Sequence, residues 1–118
     1  MKPVHIETFC SHKRQECKIG NHTWSVARLI QLSKDLPVMN VPVAHLNLSD
    51  YYNRLFLREF VMHMDAVMNA DLSKPIILDE DGEIMDGRHR VMKALFKRKN
   101  KIKAVRFDVN PKPCSIEE

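Results

Sequence analysis

Asp86, Gly87, Arg88, His89 and Arg90 form the one stretch of this 118-residue chain whose residue types and spacing point directly to chemistry. They arrive where an apolar run gives way to an amphipathic one, which is where a helix should begin. A helix start carries unpaired backbone N–H groups and the positive end of the helix dipole, so it attracts anions. Gly87 permits a tight strand-to-helix transition and close approach of a ligand to the backbone. Arg88 and Arg90 can make bidentate contacts to phosphate. Residues two apart do not share a helix face. If Arg88 grips a phosphate, Arg90 is therefore expected over the sheet edge or paired with an acid. His89 could hold a phosphate oxygen or move a proton, because imidazole titrates near neutrality. Asp86 admits two readings. Beside a phosphate its carboxylate makes sense as a ligand to a bridging divalent cation such as Mg²⁺, or as a base that takes a substrate proton. The plainer reading has it cap the helix or pair with Arg90.

The elements that must position these residues can be read from the pattern around them. Pro75 to Leu78 is a buried-type strand start, Asp79-Glu80-Asp81-Gly82 is a strong turn, and Glu83 to Met85 returns as a short strand. Arg88 to Phe96 carries Val91, Ala94 and Leu95 on one helical face, and Ile102 to Phe107 reads as a strand with lysines between its apolar residues. Upstream, Asn47, Ser49 and Asp50 precede a long helical pattern from about Tyr51 to Ala70. There Leu57, Phe60, Val61, Met64, Val67 and Met68 fall on one broad face, the expected core side. Tyr51 and Tyr52 could line a cleft or simply pack the helix start. Val41 to Leu46 suggests a short strand whose prolines put it near a sheet edge. The segment from Thr23 or Ser25 to Leu36 looks helical, with Pro37 as its stop. Val4 to Phe9 alternates as a strand would, and Ser11 to Asn21 reads as a loop or exposed hairpin. Pro111 and Pro113 suggest a loose tail. The expected class is α+β, a small mixed sheet with packed helices. We divide the single domain 1–118 into an N-terminal extension 1–40, a core 41–107 and a tail 108–118.

Charge is unevenly placed. From Asp79 to Asp86 there are five acidic residues and no basic one, and from Gly87 to Phe107 nine basic residues and no acidic one. Within the basic run, Lys93, Lys97, Lys99, Lys101 and Lys103 could track the backbone of DNA or RNA. A solvated helix end followed by a lysine-protected edge strand explains the same residues more simply. The motif is neither a Walker A loop nor a dinucleotide-binding glycine fingerprint. No apolar run approaches the roughly 20 residues that span a bilayer, and the start M-K-P-V-H-I-E lacks a signal-peptide apolar region. A cytoplasmic protein with no membrane partner is expected. Its three cysteines, Cys10, Cys17 and Cys114, are then expected as free thiols. Cys10, His12, Cys17 and His22 could supply four zinc ligands, but their spacing is not that of a standard finger, and scattered polar loop residues are the preferred reading. Trp24, next to them, is expected as a core anchor.

The stretch V41-P-V-A-H-L46, the long helix, P75-I-I-L-D-E-D-G-E-I-M-D-G-R-H-R90, the helix V-M-K-A-L-F and the strand I-K-A-V-R-F together resemble the ParB N-terminal and sulfiredoxin superfamily over roughly Val41 to Phe107. The resemblance implies a ParB/sulfiredoxin-like fold in which Gly87, Arg88, His89 and Arg90 hold nucleotide phosphates. Sulfiredoxins carry their catalytic cysteine directly after the glycine, where this chain has Arg88, so sulfinic-acid repair is not expected. ParB-type partition proteins bind CTP and continue into a helix-turn-helix, for which the residues after Arg106 leave no room. ParB-related free serine kinases share an Asp-Gly-x-His-Arg pattern that Asp86, Gly87, His89 and Arg90 match. Their activating glutamate has only Asp50 as a loose counterpart here. The resemblance thus implies ATP or CTP with Mg²⁺ as cofactors, and phosphoryl transfer or nucleotide hydrolysis with Asp86 and His89 as catalytic residues and Asp86 as metal ligand. The alternative is a non-catalytic, nucleic-acid-associated binding module. A homodimer is admitted by either.

Overall fold

The computed structural model describes residues 15–48 and 56–117. The strand expected at Val4 to Phe9, the residues Cys10 and His12, and Asp50, Tyr51 and Tyr52 lie outside them. In chain order the elements are β1 (Glu16–Ile19), β2 (His22–Ser25), α1 (Val26–Leu32), β3 (Met39–Pro42), a 3-10 turn (Val43–His45), α2 (Leu57–Asn69), β4 (Ile76–Leu78), β5 (Ile84–Asp86), α3 (Arg88–Phe96), β6 (Lys101–Arg106) and β7 (Ser115–Ile116). The class is α+β, with two small sheets. One has the order β1-β2-β7 and is antiparallel, and the other has the order β3-β6-β4-β5. The larger sheet is mixed, because β4 runs parallel to β6 while the β3–β6 and β4–β5 pairs are antiparallel. No helix among the described residues is long and apolar enough to cross a membrane.

The larger sheet is the central layer, and strand alternation sends its side chains into two cores. Ile76, Leu78, Ile84, Ile102 and Ala104 pack on one face with Val91 and Ala94 of α3 and with Val43. Ile77, Met85 and Val105 pack on the other with Phe107, with Cys17 and Trp24 of the small sheet, and with Val26 and Leu29 of α1. Three consecutive buried residues in β4 follow from this: a strand covered on both faces has no polar side to show. Asp79, buried at the turn, ties it together, since its Oδ1 accepts hydrogen bonds from the N–H groups of Asp81 and Glu83, both at 2.8 Å.

Four local readings are revised. The residues before β2 do form a hairpin, turning at Gly20, but α1 is shorter than expected and ends at Leu32 after Ser25 caps it. Chain 41–46 is half strand and half 3-10 turn. β3 does take the edge position that its proline favours. β6, whose lysines suggested an edge, is interior, with a hydrogen-bonded neighbour on each side. Lys101 and Lys103 project from the sheet face that lies beyond the second core, which is why an interior strand can carry them exposed. The tail is not loose: residues 111–117 return to the small sheet. There β7 pairs with β2, Cys114 N–H donates to Thr23 O at 2.8 Å, and the Trp24 indole N–H donates to Pro111 O at 2.9 Å. Trp24 is thus a buried core anchor.

The largest departure concerns α2. Val67 is buried, but Leu57, Phe60, Val61, Met64 and Met68 are all exposed. The helix lies against α3 through its other arc, and the Lys93 ammonium of α3 donates to the carbonyls of Met68 and Ala70 at 3.0 and 2.6 Å. That closes the C-terminal end of α2, where unpaired carbonyls and the negative end of the dipole attract a cation.

Candidate functional site

The transition from β5 to α3 is made by Gly87, which adopts φ 105° as the residue preceding the helix. No side chain fits there: a Cβ would stand 2.5 Å from Ile76 Cγ2 and 2.9 Å from Ile76 Cβ. The glycine therefore seats the first turn of α3 directly on β4. Because β5 ends at Asp86, the five residues of the motif are held between a buried strand and a packed helix.

Arg90 braces this corner. Its Nη1 donates to Pro75 O at 2.7 Å and its Nη2 to Asp86 Oδ2 at 3.3 Å, with both side chains mostly shielded from solvent. A guanidinium shared between a backbone carbonyl and a carboxylate ties β4, β5 and α3 together. It also balances the Asp86 charge, which would otherwise repel an anion at the helix start. One carboxylate oxygen of Asp86 is thereby engaged by a cation. Arg88 is half-buried at the first helical position.

His89 is joined by a residue the sequence reading passed over. His63 of α2 faces it, with Nδ1 of His63 3.0 Å from Nε2 of His89 and the rings tilted by 44°. Burial, reinforced by the neighbouring His63, pushes the His89 imidazole below its ordinary value, while Asp86 works in the opposite sense. His89 is accordingly neutral at pH 7, able to accept a proton or offer a lone pair. One sequence signal marked His63: with Ala66, Val67 and Ala70 it occupies the arc of α2 that carries small residues, the arc that lets a helix approach its neighbour closely.

These groups open on a cleft of about 950 Å³. Its polar end is lined by His63, Asp86, Gly87, Arg88, His89 and Arg90. Its apolar wall is formed by α1, the chain after it and the sheet residues Ile77, Met85 and Val105. The structure thus brings together all five motif residues. It does not bring the lysines to them: Lys93, Lys97, Lys99, Lys101 and Lys103 are absent from the lining. Lys93 is spent on the end of α2, and the other four are exposed around the α3–β6 turn. That turn lies at the opposite end of a nine-residue helix, about 13 Å along its axis. Cys17 is buried in the core against Trp24, and His22 stacks edge-on to Trp24 with centroids 5.8 Å apart. Among the described residues, no three His, Cys, Asp or Glu side chains converge as a metal-binding group. No family model matches the chain, and neither does any curated protein or solved structure.

Proposed function

We propose that the chain is a ParB/sulfiredoxin-like domain that binds a nucleotide, ATP or CTP, by its phosphates at the start of α3. The observation that carries this reading is the Gly87 corner. A left-handed glycine pressed on Ile76 starts α3 with no side-chain cap on its first N–H groups, and it lines, with Arg88, a cleft of nucleotide size. The apolar wall of that cleft suits a base and sugar. Phosphoryl transfer or hydrolysis assisted by Mg²⁺ is the chemistry that Asp86 and His89 would support. The Arg90–Asp86 pair favours binding as the primary role, because it holds the carboxylate in a structural contact.

Thermal shift with millimolar ATP, CTP and GTP, with and without Mg²⁺, tests the reading. A ligand at 100 times its Kd raises stability by about 2.7 kcal/mol, a readily measured shift. Binding should survive Asp86→Asn and be lost in Arg88→Ala. No stabilisation by any of the three nucleotides would dismiss the proposal. Turnover, if present in the parent, should disappear in Asp86→Asn.

A second reading rests on the exposure of Lys97, Lys99, Lys101 and Lys103, which leaves them available to a nucleic-acid backbone. Four phosphate contacts predict a log–log salt slope of about −3 to −4 for duplex DNA. Affinity independent of salt would exclude it.

A further inference from the structure

We propose that the open face of α2 is a self-association surface, on which two copies of the chain pair through antiparallel α2 helices about a two-fold axis. The proposal is independent of the nucleotide reading and is tested with no nucleotide present, so either can fail alone.

Helix α2 carries a seam that its own protomer does not use. Leu57, Val61, Met64 and Met68 recur at spacings of four, three and four, the repeat by which paired helices interlock. Phe60 stands beside them. All five keep much of their surface in water, from 47% for Phe60 to 83% for Leu57. The protomer packs the other arc instead, where Val67 is buried and Met62, His63, Ala66 and Ala70 are half-buried. At those exposures the five side chains leave on the order of 500 Å² of apolar surface in one stripe, near the upper end for the largest patch on an ordinary monomer. A standard interface takes roughly 800 Å² from each partner, a little over half of it non-polar. The stripe supplies that apolar share, and the polar residues along its edges supply the remainder.

Charge selects both the partner and the direction. The exposed charges of α2 are Arg58, Glu59 and Asp65, a balance that offers little to an anionic bilayer or a nucleic-acid backbone. Arg58 and Asp65 lie seven residues apart, so they share one edge of the stripe. Set the helices antiparallel, with Val61 against the partner's Met64, and Leu57 meets the partner's Met68. Arg58 of each copy then comes beside Asp65 of the other. Parallel helices would bring Asp65 beside Phe60 and form no such ion pair. The surface is therefore complementary to itself in one direction, as an isologous two-fold contact requires. The Asp65 carboxylate is steadied on that edge by the Asn69 side-chain amide, which donates to Oδ1 at 3.0 Å. The cleft takes His63, Ala66 and Asn69 from α2, so the seam and the cleft share no residue.

The test is sedimentation equilibrium of the full-length chain, loaded from about 1 µM to about 500 µM, across the weak end of the range for an interface of this size. The mass should rise reversibly from 13.8 kDa towards twice that value and no further. Val61→Glu combined with Met64→Glu should abolish the rise. Both side chains stand open in the protomer, and an unchanged circular dichroism spectrum would confirm that the fold is kept. Arg58→Glu alone and Asp65→Arg alone each set like charges together twice per dimer and should weaken association by roughly 5- to 10-fold. Mixing these two variants restores opposite charges at both contacts and should bring association back to the parent's strength, an outcome that a parallel pair or general stickiness does not give. A constant 13.8 kDa mass, growth beyond a dimer, association that survives the double substitution, or no recovery on mixing would each overturn the proposal. So would a monomer that cosediments with phosphatidylcholine–phosphatidylserine vesicles, which would give the stripe to a bilayer.

Discussion

At Gly87 the chain has neither the room nor the backbone conformation for a methyl group. A left-handed non-glycine residue costs roughly 1–2 kcal/mol, and forcing a Cβ to within 2.5 Å of Ile76 adds an overpacking cost of roughly 1–3 kcal/mol. Gly87→Ala should therefore lower the urea midpoint at unchanged m-value by an amount worth about 2–5 kcal/mol, and a wild-type midpoint would refute this account of the corner. His89 makes a pH prediction at the same scale. Its folded-state value lies below the ordinary 6.5, so between the two values the unfolded chain binds the extra proton. Stability from this group is fully present above pH 6.5 and falls as the pH drops through the window just beneath it. The groups facing the imidazole are His63 from α2, which strengthens the effect, and Asp86 from β5, which opposes it. In metal-free buffer, the urea midpoint of His89→Gln should lose that part of the pH slope, and an unchanged slope would contradict it. The motif 86–90 was legible because its logic is local: glycine, helix start and cations are consecutive. His63 was not, because its relevance depends on which arc of a distant helix meets α3.

The same arc decides how α2 behaves as an element. Helical period alone identifies an amphipathic helix, but not how much of its apolar stripe finds a partner. Here the bulky stripe of Phe60, Val61, Met64 and Met68 stays exposed while Val67 and the smaller residues turn inward. Val61, 61% exposed, should accept glutamine with a stability change within about 0.5 kcal/mol. In contrast Lys93→Ala deletes two hydrogen bonds to the last carbonyls of α2, at a cost of about 1 kcal/mol. Amide exchange in the final turn of α2 should accelerate in that variant and stay unchanged in Val61→Gln. Equal exchange in both would show that Lys93 does not clamp the helix. Strand β6 teaches a related lesson. Its alternation correctly announced a strand with one wet side at Lys101 and Lys103, yet its interior place could not be read locally. Strand order depends on β3 and β4, which arrive from distant parts of the chain and pair on either side of it.

For the whole molecule, the consequential feature is that the central sheet is buried on both faces by different parts of the chain. One face is covered by α3 and the 3-10 turn, which lie within the stretch read from sequence as the core. The other is covered by residues from the presumed N-terminal extension, Cys17, Trp24, Val26 and Leu29, and closed by the returning tail. Neither was apparent in the sequence, because a short hairpin, a seven-residue helix and a proline-containing tail each carry a weak local signal. Their meaning lies in contacts far apart in sequence, such as the Trp24 indole on Pro111. A fragment spanning 38–110 would expose Ile77, Met85, Val105 and Phe107 to water. Burying one such side chain is worth about 1.5–3 kcal/mol, so four together rival the whole stability of an ordinary domain. That fragment should show no cooperative thermal transition and should bind a hydrophobic dye. The milder deletion of residues 111–118 removes β7 and the Pro111 carbonyl that accepts from the Trp24 indole N–H, a loss of about 0.5–1.5 kcal/mol for that hydrogen bond alone. It should fold, with a lower melting temperature and its tryptophan emission shifted to the red. If fragment 38–110 instead melts cooperatively, the sheet needs only the face that α3 covers, and the apolar wall of the cleft is an appended surface rather than half of the core.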